Sequence, residues 1–411
     1  DSSVYMMWTV NLSIESDLQA ISVIRRVRGN IPVVMMGPGP TYFVSKCLPD
    51  NSVVVVRGEP EATLSELLTR MVNSGMQIPA DVAGTSLLID GKLRNNRPRP
   101  LIENLDELPF PARDLLAGRA FHNPKLKVTP YTTMFTSRNC PYKCIYCVPS
   151  SLSFAREIEH RNSGASGRKP KIGFRSVASI EAEVRMLHEQ GYRAIGFMDD
   201  NFIWNEKRTG EICGIMRRYD MVWGCEARVD AITEPVARML GESGCRYIDL
   251  GVESFDDDIL EYVHKGIRCE DIYRAVELLK KYKVPVKLNI LIGCSPLETE
   301  ATVRHTLHEA KRLDVDQVMF NIVSPFPGTE YYDICKKNGW IDGGEYRPTD
   351  VQRHSILSLP SVSSRRMEQL LFRNNISFFL SPRFVLKQLV RYTSFREFTH
   401  SLRALKTKLF G

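Results

Sequence analysis

Hydrophobic positions alternate between two patterns along the chain. In the first, apolar residues run together for a few positions, at 3–10, 32–36, 52–56, 131–137, 194–198, 221–226, 246–251, 286–292 and 317–323. Short runs bounded by turn residues are read as buried strands. In the second, they recur every three or four residues, as at Leu18, Ile21, Ile24 and Val27. That period predicts amphipathic helices over 13–27, 63–72, 177–189 and 234–242. Gly29, Gly191 and Gly244 stand where helices should stop. Thr233 is placed to cap the helix that Pro235 opens.

Strand and helix alternate almost throughout, which is the mark of an α/β protein with parallel sheets. From residue 131 onward there are six strand–helix units, predicting a partial (β/α)6 TIM-like barrel with a lateral opening. The shorter series before residue 95 predicts a partial Rossmann-like parallel α/β domain. The expected organisation is therefore 1–95 for that domain, 96–125 for a linker, 126–345 for the barrel and 346–411 for a basic helical C-terminal extension. The stretch 87–116 is rich in Pro, Asn and charge and reads as extended loop, with Arg113 and Asp114 solvated.

Composition narrows the picture. At 411 residues and 43% hydrophobic content the chain has enough apolar material for two or three domains. The apolar runs are too short and too often broken by charge to span a bilayer, and no secretory segment opens the chain. The expectation is a cytoplasmic, reducing location, in which ten scattered cysteines stay unpaired. The net charge of +7 is uneven, because residues 361–411 hold ten Lys/Arg against two acids. In that tail Phe372, Phe378, Phe379, Phe384 and Phe410 interleave with the basic residues. Three uses compete: a helical cap on the barrel, a peripheral contact with anionic lipid at the inner membrane face, and a nucleic-acid patch, the least favoured.

The candidate chemistry lies in CPYKCIYC, which spaces Cys140, Cys144 and Cys147 as C-x3-C-x2-C on the loop after the first barrel strand. Thiolates so close on one loop can wrap an iron–sulfur cluster. Zinc or ordinary free thiols are the alternatives, although zinc would want a fourth nearby Cys or His. Three thiolates on a four-iron cubane leave one iron open to a small molecule. Other polar residues recur at strand ends: Asp199 and Asp200 after the second strand, Arg228 after the third, Glu253 and Ser254 after the fourth, Gly293 after the fifth. Ligands collect at the C-terminal ends of parallel strands. In an extended segment Asp199 and Asp200 point to opposite faces, so one is expected to meet ligand and the other to cap the next helix. Arg228 has salt bridges to Asp230 or Glu226 as its alternative use. Cys225 and Cys294 are expected to be small buried hydrophobes.

CPYKCIYC, with Tyr146 before the last cysteine, resembles the cluster loop of the radical S-adenosylmethionine (radical SAM) superfamily. DDNF at 199–202, GVES at 251–254 followed by FDDDILEYVHKGI, LNILIG at 288–293 and PFPGT at 325–329 resemble further motifs of that family. Asn289 departs from the family's usual glycine. The resemblance implies a 4Fe-4S cluster on Cys140, Cys144 and Cys147, flanked by Tyr146. It also implies S-adenosylmethionine contacts from Asp199 or Asp200 to the amino group, Arg228 to the carboxylate, Glu253 and Ser254 to the ribose, and Gly293 near the adenine. An electron donor such as flavodoxin or ferredoxin would reduce the cluster.

VVMMGPGPT at 33–41 and VRGEPEATLSEL at 56–67 resemble the second half of the cobalamin-binding domain found before many radical SAM cores. Met36 replaces the first of the family's paired glycines and Gly39 stands where a His is common. The family's first strand, helix and second strand have no counterpart before Asp1. Cobalamin is thus a third expected cofactor, with a domain that merely buttresses the barrel as the alternative. The implied activity is cobalamin-dependent methylation of an unactivated carbon in a small-molecule or lipid-like substrate. The alternatives are radical rearrangement, cyclisation or oxidation without cobalamin, and an inactive binding protein that keeps the fold. One cysteine before the barrel loop, Cys47, is too few for the second cluster of a tRNA methylthiotransferase.

Overall fold

The computed structural model of the protein describes residues 3–116, 121–167, 169–382 and 385–386. The first domain runs β1 (Tyr5–Trp8), α1 (Ile14–Arg28), β2 (Val33–Met36), α2 (Pro38–Tyr42), β3 (Val53–Val56), α3 (Glu61–Asn73), β4 (Thr85–Ile89) and β5 (Lys92–Asn95). Strands β1, β2 and β3 are parallel neighbours in that order. Alternation along them supplies both faces. Val33, Met35, Val53 and Val55 pack on Ile14 and Ile21 of α1, whereas Val34, Val54 and Val56 pack on Leu67 and Met71 of α3.

This sheet is not wholly parallel. The connector expected from residue 87 onward is not extended at its start: residues 85–95 form the antiparallel hairpin β4–β5 on the edge of β3. Its turn is Asp90-Gly91, both left-handed at φ 50° and 75°, the backbone that a tight hairpin demands. The surrounding charge hid this signal. Arg113 likewise is not solvated. It is 9% exposed, bonded to Thr132 Oγ1 (2.9 Å) and the Thr133 carbonyl, and paired with Glu183 at 2.7 Å.

The second domain runs β6 (Tyr131–Met134), β7 (Ser137–Arg138), α4 (Ser151–Asn162), β8 (Gly173–Phe174), α5 (Val177–Glu189), β9 (Ala194–Phe197) and α6 (Glu206–Arg218). It continues with β10 (Val222–Ala227), α7 (Glu234–Glu242), β11 (Cys245–Glu253), α8 (Asp257–Tyr262), α9 (Cys269–Lys281) and β12 (Val286–Ile292). It ends with α10 (Glu300–Arg312), β13 (Gln317–Ile322), α11 (Glu330–Lys337) and α12 (Ser364–Phe379). Six parallel strands line up as β6-β9-β10-β11-β12-β13, with β6 and β13 as open edges. The run expected as one strand over 131–137 is split, because Ser137 and Arg138 leave the sheet to pair antiparallel with β8. Helices begin where short polar side chains accept from the first turn, among them Ser150, Ser176, Asn205, Thr233 and Thr299.

Outward-facing residues such as Phe197, Trp223, Ile248, Leu288 and Phe320 form one core under the helices. The inward face is different. At its base two tyrosine rings lie over two glycines: a Cβ on Gly196 would stand 2.4 Å from Tyr131 Oη, and one on Gly224 would stand 2.2 Å from the Tyr247 ring. Above them Glu226, Asp249 and Lys287 sit in register on neighbouring strands. Helix α12 closes one side, burying Met367, Leu370, Leu371 and Phe378 against the barrel core. This part of the basic tail is thus a helical cap. The further basic segments expected over 382–392 and 395–410 fall, apart from Pro382, Val385 and Leu386, outside the described residues. Among the described residues no helix is long and apolar enough to cross a membrane.

The two domains meet through α2 and α4. Pro38, Gly39, Pro40 and Thr41 are all buried, and a Cβ on Gly58 would stand 2.9 Å from Glu159 Cβ. Buried ion pairs cross the seam. Arg57 meets Glu159 at 3.0 Å, Arg138 meets Glu59 and Glu61, and Arg156 lies 3.4 Å from Glu59.

Candidate active site

Cys140, Cys144 and Cys147 are free thiols, buried or half-buried, on the loop between β7 and α4. The loop is fixed by backbone: Ile145 N donates to Val263 O (3.1 Å), Tyr331 N donates to Ile145 O (3.0 Å), and Asn139 N donates to Ser153 Oγ (3.0 Å). Asn139 holds φ at 71° to turn into it. Burial pushes the Cys140 and Cys147 thiols up, and the charge of Cys144 adds to this while the Lys169 ammonium opposes it. Among the described residues no three His, Cys, Asp or Glu side chains converge as one metal ion would require. Three cysteines on one loop are the donor set that a cluster takes, each thiolate on a different iron.

Strand ends surround this loop. Asp200 Oδ1 accepts Ser150 N at 2.6 Å, tying β9 to the start of α4. Its Oδ2 is buried and has no hydrogen-bond partner. Asp199 is 1% exposed and accepts from Thr136 N, Thr136 Oγ1 and Ser137 Oγ, the last at 2.6 Å. Burial raises its carboxyl to about 6 against the pull of these donors. Neither aspartate caps α6, whose cap is Asn205.

Glu253 ends β11 in a left-handed conformation, φ 68°, where the register to β12 shifts. Its Oε1 meets Lys265 Nζ at 2.8 Å, and the same ammonium lies 3.5 Å from Tyr146 Oη. Gly251 makes room for this pair, since a Cβ there would stand 2.8 Å from Lys265 Nζ. Arg228 gives its fork to Asp230 at 2.9 and 3.0 Å and stacks 3.5 Å from the Tyr142 ring centroid. Ser254 turns away, with Oγ 3.2 Å from Thr306 Oγ1 on α10. Gly293 turns left-handed at φ 84°, its N–H donating to Glu298 Oε2 at 2.8 Å and its carbonyl accepting from Tyr331. Cys225 and Cys294 are fully buried.

The structure thus brings Cys140, Cys144, Cys147, Tyr146, Asp200 and Glu253 around one loop. Asp199, Ser254 and Gly293 are engaged in holding strand ends. Lys265 and the Lys169–Glu157 pair (3.3 Å) beside the thiols were missed. The signal for Lys265 lay in the HKGI that follows GVES, where the lysine stands beside a glycine in a loop.

A family model described as the radical SAM superfamily matches residues 134–310. A protein of Pyrococcus horikoshii described as an uncharacterized methyltransferase is 32% identical over 91% of this chain and 78% of its own length. The hopanoid C-3 methylase of Methylococcus capsulatus is 25% identical over 82% of this chain and 62% of its own length. Among solved structures, the fold is similar to that of the radical SAM methyltransferase TsrM of Kitasatospora setae, with cobalamin and a 4Fe-4S cluster bound. The TM-score is 0.59 at 18% identity, covering 82% of this chain and 65% of TsrM. It is also similar to the cobalamin-dependent radical SAM enzyme OxsB, with TM-score 0.58 at 17% identity over 90% of this chain and 52% of OxsB. The chain spans less than two thirds of the last three. Similarity over nearly the whole chain, with three thiols on the matching loop, makes it a radical SAM enzyme: the chain belongs to the radical SAM superfamily, which works with a 4Fe-4S cluster and S-adenosylmethionine.

Proposed function

We propose that this enzyme is a cobalamin-dependent radical SAM methyltransferase that methylates an unactivated carbon of a small molecule. The observation that carries this reading is the first domain, set directly on α4, the helix that leaves the thiol loop: at the C-terminal ends of β1, β2 and β3, Trp8 Nε1 donates to Ser151 Oγ at 3.1 Å, α2 packs on α4, and Arg57 pairs with Glu159 at 3.0 Å. When bound, the cluster supplies the electron that converts S-adenosylmethionine to a 5′-deoxyadenosyl radical, and cobalamin supplies the methyl group.

Each residue then has a task. Cys140, Cys144 and Cys147 would hold the cluster. Asp200 Oδ2, buried and unpaired, is suited to accept the ammonium of S-adenosylmethionine. Glu253 keeps one oxygen on Lys265 and offers the other to ribose hydroxyls. Tyr146 flanks the same pocket. Arg228 holds Asp230 and orients Tyr142. Asp199, Ser254 and Gly293 frame the pocket. For cobalamin, Thr9 Oγ1 and Asn11 Oδ1 are buried without a partner at the end of β1, where α/β sheets bind ligands. They suit the amide side chains of a corrin. The charged row Glu226–Asp249–Lys287 lining the barrel favours a substrate with polar groups over bare hydrocarbon.

A cobalamin-independent radical reaction is the second reading. The close seating of Pro38–Thr41 and Gly58 on α4 favours it, because it fills part of the space over the strand ends. Anaerobic reconstitution with iron, sulfide and hydroxocobalamin separates the two. The first reading expects about four irons per chain, 5′-deoxyadenosine on reduction, and corrin absorbance that survives gel filtration. Iron and 5′-deoxyadenosine without retained corrin would overturn it in favour of the second. Replacing Cys140, Cys144 and Cys147 by Ala should abolish both iron and 5′-deoxyadenosine.

A further inference from the structure

The loop 263–266 between α8 and α9 touches the thiol loop at two points and the end of β10 at a third. Val263 O accepts Ile145 N at 3.1 Å. Lys265 Nζ reaches Tyr146 Oη at 3.5 Å and Glu253 Oε1 at 2.8 Å. Gly266 O lies 3.4 Å from Arg228 Nη2. Lys265 is 6% exposed, and a buried lysine carries a large desolvation cost unless a local charge requires it. Burial pushes this ammonium down, but the Glu253 carboxylate 2.8 Å away outweighs it and holds the charge in place. Glu253 is left-handed and Gly251 lacks a side chain, so the backbone departs from regular strand where the pair needs room.

We infer that Lys265 is a positioning residue that places a fixed positive charge against Tyr146 of the thiol loop, raising the reduction potential of the cluster held there, and that aligns Glu253 for S-adenosylmethionine. The inference rests on the radical SAM reading of the thiol loop. A cation near a cluster stabilises the form that has gained an electron, so its removal makes that electron harder to add. The same ammonium fixes one oxygen of Glu253 and leaves the other to accept. No bond is made or broken by Lys265, and its proton stays in place.

The test uses the reconstituted full chain, with midpoint potential read by electron paramagnetic resonance in the absence of S-adenosylmethionine, and S-adenosylmethionine affinity read by equilibrium dialysis. Lys265→Met should move the potential negative and weaken binding by about tenfold, the size of one lost charge-assisted contact. Lys265→Arg should restore the potential. Because Lys265→Met leaves the half-buried Glu253 without its cation, the double variant Lys265→Met/Glu253→Gln serves as the folding control. It removes both charges, and its potential should lie between those of Lys265→Met and Glu253→Gln. Equal potentials in wild type, Lys265→Met and the double variant, at equal iron content, would overturn the inference while leaving the radical SAM reading intact. A wild-type chain that takes up no iron would overturn both.

Discussion

Arg57 and Glu159 form an ion pair across the seam between the two domains, Nε to Oε1 at 3.0 Å, each side chain 7% exposed. Arg57 follows β3 directly, and its remaining donors satisfy Thr85 O (2.8 Å), Asn96 O (2.6 Å) and Ser86 Oγ. Glu159 lies on α4, the helix that leaves the thiol loop. The pair therefore fixes the first domain relative to the metal-binding loop. Removing one partner strands the other in a dry interface. Arg57→Met should cost about 3–5 kcal/mol of stability, measured by urea unfolding. Little change would mean that the seam is wet or mobile.

Asp199 and Asp200 should part company on substitution. Asp199→Ala removes the acceptor that serves Thr136 and Ser137. It should destabilise the fold by about 1–3 kcal/mol. Asp200→Asn should leave the melting temperature nearly unchanged and weaken S-adenosylmethionine binding at least tenfold, read by equilibrium dialysis. The reverse pattern would exchange their assignments.

Two buried acids make stability depend on pH. Burial raises Glu298 to about 7, despite N–H donors from Gly293 and Cys294, and raises Asp199 to about 6. The native state thus keeps these protons to higher pH than the unfolded chain. Their contribution is full below about pH 4 and is lost as pH rises through 6 and 7, by about 2–3 kcal/mol each. Denaturant titration of the apo protein at pH 5 and pH 8 should show the decline, and Glu298→Gln should flatten it. An unchanged slope in Glu298→Gln would rule Glu298 out as its source.

Gly224→Ala tests the base of the barrel. The added methyl would meet the Tyr247 ring at 2.2 Å. Overpacking of this kind costs about 1–3 kcal/mol. The companion change Tyr247→Phe should not relieve it, since the clash is with ring carbons, whereas Tyr247→Leu should. Thermal unfolding of the three variants decides.

Met367 on α12 is fully buried, with its sulfur 2.8 Å from where a Cβ on Gly293 would stand. Met367→Ala should cost about 2–5 kcal/mol and loosen the Gly293 turn. Hydrogen exchange at the Gly293 and Cys294 amides, both bonded to Glu298, should accelerate. Unaltered exchange there would show that α12 does not support the turn.

Much of this architecture was legible in the sequence, because burial writes itself into periodicity. The six barrel strands and helices such as α5 and α7 follow from apolar spacing and from local signals, such as Gly191 as a stop after α5 and Thr233 as the cap that starts α7. The hairpin β4–β5 escaped because its strand β5 is exposed at all four positions and carries no apolar pattern. The thiol loop was legible as well, since its three ligands are close in sequence and need no fold to bring them together.

Tertiary structure decided how the polar residues divide their work. In sequence, Asp199 and Asp200 are equivalent neighbours. In space one is consumed by the 136–137 backbone and side chains, and the other keeps a free oxygen. Arg228 offers a cation in sequence, but its fork is already held by Asp230. Lys265 reaches Glu253 across 12 residues and Tyr146 across 119. Hydrogen bonds and charge pairs act over a few ångströms without periodic pattern. Sequence therefore determined which residue types were available and where each strand would end. Only packing determined which donors met which acceptors, and so which groups were left free for a ligand.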